Sequence, residues 1–150
     1  MSLNETYVDA PPEAVFAVLA DPESYGHWVV GSSKIRGADR DWPEPGSKFE
    51  HVQGFFGVGL PDNTAVISAE PPRTLVLEAR IRPFAVNKVE LRLLPNGRGT
   101  KVVMVEYATG GLARLVPRLL TDLGLWLRNV ESLRRLRKLA EFRNAERLSG

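Results

Sequence analysis

Residues 110–142 read GGLARLVPRLLTDLGLWLRNVESLRRLRKLAEF, and every other element of the chain has to be arranged around them. Leu112, Leu115, Val116, Leu119, Leu123, Trp126, Val130, Leu133 and Leu136 recur at helical spacing, while charged residues gather on the other side beyond Arg128. The spacing predicts one long amphipathic helix after Gly110-Gly111, with Pro117 either in its first turn or kinking it. Outward from that helix the period drops to two. Strands are predicted near 33–37, 47–54, 63–69, 74–81, 86–94 and 100–108, broken by glycine and proline, with Pro95-Asn96-Gly97 as a tight-turn signal. A further strand over Leu3 to Val8 leads into a helix from Glu13 to Ala20, which Pro12 suits as a first-turn residue. A second short helix begins with Asp21 as cap and Pro22 in the first position, carries Tyr25 and Trp28, and ends near Gly31. About seven antiparallel strands need one face covered, and only the last helix is long enough to cover it. The expected class is α+β, in a single domain over residues 1–150.

Composition removes several kinds of chemistry. With no cysteine there is no disulfide, thiolate metal site or cysteine nucleophile, and His27 and His51 are too few for a three-histidine metal site. Ser32-Ser33 lack the G-x-S-x-G setting of a nucleophilic serine, and the glycines near Phe55 to Pro61 lack the Lys-Ser or Lys-Thr of a phosphate loop. The first residues have no basic region followed by an apolar run, and no apolar stretch is long enough to span a bilayer, so the expected location is cytoplasmic. Net charge is +2. It is unevenly spread: from Arg114 onward nine basic residues face four acidic ones, and the body before them is acidic on balance. The cluster Arg134-Arg135-Leu136-Arg137-Lys138 is interleaved with Glu131 and Glu141. It reads as a solvated helix face near a helix C-terminus rather than as a site for nucleic acid or an acidic membrane surface.

Strand alternation orients the side chains. Leu75, Leu77, Ala79 and Ile81 share one face of their strand opposite Glu78 and Arg80, and Val89, Leu91 and Leu93 lie opposite Lys88, Glu90 and Arg92. By the same rule Phe49, His51, Gln53 and Phe55 point inward; Lys101 turned to water puts Val102, Met104 and Glu106 inward too, but the opposite set, Val103, Val105 and Tyr107, is also apolar and leaves the face of Glu106 open. Over Asn63 to Ala69 parity decides nothing, and Asp62 and Thr64 fit either face.

Four pieces in order carry a resemblance: Val8-Asp9-Ala10-Pro11-Pro12-Glu13-Ala14-Val15-Phe16 with Asp21-Pro22-Glu23-Ser24-Tyr25-Gly26-His27-Trp28; Trp42-Pro43-Glu44-Pro45-Gly46-Ser47; Pro71-Pro72-Arg73-Thr74-Leu75; and Gly99-Thr100-Lys101-Val102. The chain thereby resembles START-like (SRPBCC) proteins, above all the polyketide cyclase/dehydrase and lipid-transport group. The resemblance implies a helix-grip fold, in which a curved antiparallel sheet wraps around the C-terminal helix and leaves an apolar cavity. It does not imply one reaction, since members bind lipids, hormones or polyketides and some catalyse cyclisation or dehydration.

The expected cavity lining is Phe49, His51, Gln53, Phe55, Leu75, Leu77, Val89, Leu91, Met104 and Glu106 from the sheet. Leu123, Trp126 and Val130 complete it from the helix, with Tyr25 and Trp28 framing the mouth. The leading expectation is a binding module, monomer or homodimer, that holds a small apolar ligand without cofactor, nucleic acid or stable membrane insertion. An alternative is a cofactor-free cyclase or dehydratase with Glu106 and His51 as acid and base, close enough to hydrogen-bond directly or through one water. The same pair also reads as a structural contact. A third reading is a partner-binding domain whose basic helix end docks an acidic surface. Phe55 to Pro61 reads as either a lid or a bent hairpin. His27 reads as a surface residue.

Overall fold

The computed structural model describes residues 1–55, 58–81 and 83–149, apart from the side chains at 33, 53–55, 58 and 60. Strand β1 (Ser2–Val8) is followed by α1 (Pro12–Leu19), a single 3-10 turn (Pro22–Ser24) and α2 (Tyr25–Trp28). Six strands follow: β2 (Ser32–Ala38), β3 (Lys48–Phe55), β4 (Val58–Glu70), β5 (Thr74–Ile81), β6 (Ala85–Asn96) and β7 (Gly99–Gly110). A second 3-10 turn (Leu112–Leu115) precedes the long helix α3 (Arg118–Ser149).

The seven strands form one antiparallel sheet in the order β1-β7-β6-β5-β4-β3-β2. Hairpins join β2 through β7 in sequence, whereas β1 and β2 lie at opposite edges. The segment carrying α1 and α2 therefore has to cross the sheet, and it does so on the inner face. Register shifts in the β2–β3, β4–β5 and β6–β7 pairings add local bends, as expected of a sheet that curves round a helix. At the β6–β7 hairpin Asn96 pairs with Gly99, leaving Gly97 and Arg98 as the loop. Gly97 takes φ 62°, which a side chain would disfavour.

Local sequence explains the helix starts. Pro12 stands at the first position of α1, and Val15, Val18 and Leu19 on its inner side are buried. Asp21 accepts a hydrogen bond from the Glu23 N–H and caps the first 3-10 turn. The Pro117 carbonyl accepts from the N–H groups of Leu120 and Thr121, so the proline sits just before α3 and neither kinks it nor continues a helix from Gly111.

The core is densest where α1 and the C-terminal half of α3 meet the sheet. There Val15, Leu19, Leu75, Leu91, Leu93, Val102, Leu133 and Leu136 lose essentially all exposure. The N-terminal half of α3 is arranged differently from expectation. Leu119, Leu123, Trp126, Leu127 and Val130 face solvent, with Leu119 80% exposed and Trp126 46% exposed. At about 100° per residue, Arg128, Asn129 and Ser132 lie on the opposite side of the helix, toward the sheet. Leu123, Trp126 and Val130 therefore do not line a cavity. The helix buries its polar side there because a buried carboxylate on β7 needs it.

The two halves of α3 should respond differently to truncation of a leucine. Leu136→Ala is expected to cost about 2–5 kcal/mol and Leu119→Ala less than about 0.5 kcal/mol, measured by urea denaturation. Equal losses at the two sites would mean that the apolar stripe is buried along its whole length.

Candidate functional site

A slot opens between the inner sheet face and the N-terminal half of α3. Phe49 and His51 of β3, Thr64 of β4, Leu77, Ala79 and Ile81 of β5, Asn87 and Val89 of β6, and Met104 and Glu106 of β7 form its floor. Tyr25, Trp28, Val29 and Ser32 close one end, and Arg128 reaches in from α3. The total empty space is about 590 Å³, part of it open to solvent, and the portion that a water's centre can occupy is about 60 Å³. The slot is thus narrow, with room for a few waters.

One end is aromatic. Tyr25 lies 5.1 Å from Trp28, 5.7 Å from Trp42 and 4.9 Å from Phe49 between ring centroids, and Phe49 lies 5.7 Å from His51. The Tyr25 hydroxyl donates to the Leu19 carbonyl at 2.7 Å, and Trp42 Nε1 donates to the same oxygen at 3.1 Å. Burial, with a smaller push from the Asp21 charge, raises the Tyr25 phenol well above its ordinary value, so the hydroxyl stays a donor.

The other end is polar. Glu106 is wholly buried. Arg128 Nη2 donates to both of its oxygens at 2.8 Å, Asn87 Nδ2 to Oε2 at 2.7 Å and Asn129 Nδ2 to Oε1 at 3.0 Å. A carboxylate has about four lone-pair positions, and four donated hydrogen bonds occupy them. Nearby, Ser2 donates to Asn4, whose Nδ2 donates to the Trp126 carbonyl, so β1 also holds the helix through polar contacts.

His51 is buried in the sheet floor. Its Nε2 lies 3.1 Å from Thr64 Oγ1 and its Nδ1 has no hydrogen-bond partner. Burial lowers its pKa from the ordinary value, against the opposing influence of the Asn63 backbone and the Asp62 charge, so the neutral imidazole is favoured. Among the described residues, the other buried side-chain atoms without a partner are Trp28 Nε1, Arg128 Nε and Asn129 Oδ1. Three of these four residues line the slot.

The structure brings Tyr25, Trp28, Phe49, His51, Leu77, Val89, Met104 and Glu106 to the slot. Tyr25 and Trp28 are deeper than a mouth position, at 2% and 1% exposure. Leu75 and Leu91 point inward but are consumed by the solid core on the α1 side. Gln53 and Phe55 lie outside the residues whose side chains are described. The lid reading of residues 55–61 does too, although the backbone pairs Phe55 with Val58 at the end of the β3–β4 hairpin. Glu106 and His51 share the slot without a direct hydrogen bond between them: the bonds described are from Asn87, Arg128 and Asn129 to the one and with Thr64 for the other. His27 is exposed.

Strand parity would have found Asn87, two residues before Val89 on the same face. Arg128 and Asn129 were hidden by reading the helix from its leucines. Trp42, placed in a turn by its prolines, is a core residue at 8% exposure. Among the described residues no three His, Asp or Glu side chains gather as metal ligands would.

A family model described as polyketide cyclase / dehydrase and lipid transport matches residues 3–141. No curated protein matches. Solved structures share the fold at low identity. A protein of Nitrosomonas europaea aligns with TM-score 0.73 and 19% identity over 95% of each chain, and a START superfamily protein of Mycobacterium smegmatis with 0.67 and 17% over 96% of each. The di-domain ARO/CYC StfQ of the steffimycin biosynthetic pathway aligns with 0.72 and 12% identity, covering 94% of this chain and 50% of that one.

Two outcomes follow from the buried charges. Arg128→Met leaves Glu106 without its cation and is expected to cost about 3–5 kcal/mol in urea denaturation, part of which a second change, Glu106→Gln, restores. A double variant no more stable than the single would mean that the pairing is incidental. For His51, a folded pKa below the unfolded one means that the unfolded chain takes up the proton first. Its share of stability is intact above about pH 6.5 and is lost as pH falls through the folded value. His51→Gln should flatten that limb of the stability curve between pH 7 and 5.

Proposed function

The chain belongs to the polyketide cyclase / dehydrase and lipid transport family, and from that premise we propose that it binds a small, largely apolar molecule bearing at least one oxygen acceptor in the slot beneath α3. The observation that carries this reading is the set of buried polar atoms left without partners on residues that line an otherwise apolar slot. Trp28 Nε1 and Arg128 Nε are N–H donors, and His51 Nδ1 takes either role according to tautomer. Burying such groups without partners is costly, and a ligand oxygen is one way to satisfy them. The walls, from Leu77, Ala79, Ile81, Val89 and Met104, offer only apolar contact.

The slot is narrower than an occupied pocket needs, so binding requires it to widen. The N-terminal half of α3 is suited to move: its sheet-facing side is tied by hydrogen bonds at Arg128, Asn129 and the Trp126 carbonyl, and Leu119, Leu120, Leu123 and Leu127 face solvent, leaving the half-buried Leu125 as the leucine on that side. Outward displacement there opens the slot while the Leu133 and Leu136 end stays anchored.

A catalytic reading with Glu106 and His51 as acid and base retains one favourable observation, the neutral and partly unpartnered His51 imidazole, which suits a base at neutral pH. Glu106, with its lone-pair positions occupied, fits better as the group that positions Arg128.

A fluorescent apolar probe such as anilinonaphthalene sulfonate tests the binding site. Ala79→Phe, which fills the slot, is expected to weaken probe binding by about tenfold or more at a stability cost of about 1–3 kcal/mol that leaves the protein folded. Probe binding that Ala79→Phe leaves unchanged would put the site elsewhere. For the catalytic reading, His51→Asn should lower turnover of a model polyketide about 100-fold while probe binding persists.

A further inference from the structure

The apolar stripe on the solvent side of α3 is unused by the fold. Leu119, Leu120, Leu123, Trp126, Leu127 and Val130 are each at least 46% exposed, and Leu115, in the turn just before the helix, is 81% exposed. Monomeric proteins rarely leave so many contiguous large apolar residues in water without a partner.

Charge defines the partner. Arg114 and Arg118 stand at the start of the stripe. Beyond Val130 the same side of the helix, at about 100° per residue, continues as Arg134, Arg137 and Lys138, all exposed. Glu131 holds Arg134 and Arg135, and Glu141 holds Arg137, which leaves the cluster with a surplus of positive charge. Antiparallel self-pairing of the stripe would bring Arg134 and Arg135 of one copy to the Arg114 end of the other. Parallel self-pairing would set the two Arg134–Lys138 clusters together, so a second copy meets like charge either way. The stripe is also the convex flank of one helix, not a groove, which matches a deformable surface better than a shaped protein ridge. Leucines and one tryptophan along a helix flanked by arginines and lysine form an interfacial helix for an anionic bilayer.

We propose that residues 115–138 dock the protein on the surface of an anionic lipid bilayer, with Leu119, Leu123, Trp126 and Leu127 entering the headgroup boundary and Arg134, Arg137 and Lys138 contacting lipid phosphates. Contact is peripheral, since no helix among the described residues is long and apolar enough to cross a membrane. The proposal is independent of what occupies the slot.

Trp126 supplies the readout. Trp28 and Trp42 are already buried, at 1% and 8% exposure, so a change in tryptophan emission on docking comes from Trp126. The full chain is mixed with vesicles of phosphatidylcholine containing about one-third phosphatidylglycerol, and flotation and emission are followed. Co-flotation with a blue shift is expected, with weaker binding to pure phosphatidylcholine and in high salt. Leu119→Ser with Leu123→Ser should reduce binding at least about tenfold at unchanged thermal stability, because both positions are exposed. Arg137→Glu with Lys138→Glu should remove the preference for anionic vesicles. Absence of flotation overturns the proposal, as does flotation that the leucine variants leave unaltered. A wild-type dimer that does not float and is split by the leucine substitutions overturns it in favour of a second copy.

Discussion

The buried contact between Glu106 and Arg128 governs how the rest of the molecule is arranged. A carboxylate on the inner face of β7 is tolerable only if a cation and further donors come to it; β6 delivers Asn87, and α3 delivers Arg128 and Asn129. Bringing Arg128 and Asn129 to Glu106 fixes the rotation of the helix about its own axis. Once that rotation is fixed, Leu119, Leu123, Trp126 and Val130, on the opposite flank, have nowhere to point but into solvent. One charge on the sheet thereby determines which side of a helix is wet, and also holds open the space beneath it, because polar side chains that must reach a partner do not pack down as leucines would.

The slot that results has two chemically distinct ends. Tyr25, Trp28 and Phe49 make a rigid aromatic wall whose polar tips, apart from Trp28 Nε1, are already satisfied. Asn87, Glu106 and Arg128 make a charged wall whose carboxylate oxygens are filled but whose guanidinium retains an unused N–H. His51 lies between them in the floor. On the binding reading proposed above, such an arrangement suits a molecule with one polar end and one aromatic or aliphatic body, with the contacting groups carried by the sheet, α2 and α3 rather than by a loop.

Much of this was legible in the residues. Alternation in β5 and β6 is clean because Glu78, Arg80, Lys88 and Arg92 mark one face, and Lys48 and Glu50 do the same in β3; in β7 only Lys101 points to Met104 and Glu106 as the inward set, since Val103, Val105 and Tyr107 opposite them are apolar too. In β4, where Asp62, Thr64 and Val66 mix polar and apolar residues on one side, only the register, Phe49 opposite Thr64 and Thr64 opposite Ala79, orients the strand. The helix was read by the rule that leucines face the core. That rule holds for Leu133 and Leu136 and reverses for Leu123 and Val130, since the rule ranks burial by hydrophobicity and takes no account of what a distant carboxylate demands. The informative signal is an inward Glu106 together with an Arg-Asn dipeptide on the helix that covers it. Trp42 is obscured for a different reason: Pro43 and Pro45 just after it announce a turn, and a turn can still place one large ring in the core.

The strand order has a consequence for synthesis. Strand β1 leaves the ribosome before the other six strands, yet its neighbour in the sheet is β7, with Ser2 opposite Glu106 and Val8 opposite Thr100. Until β7 is made, β1 has no ladder partner, and the other five strands can only zip as a meander with an open edge. Closure of the sheet and seating of α3 therefore come late and together, as contacts of long sequence separation impose. A nascent chain must carry β1 unpaired until β7 has been made, a period in which a chaperone that shields one short unpaired strand has more to offer than one that encloses a finished domain.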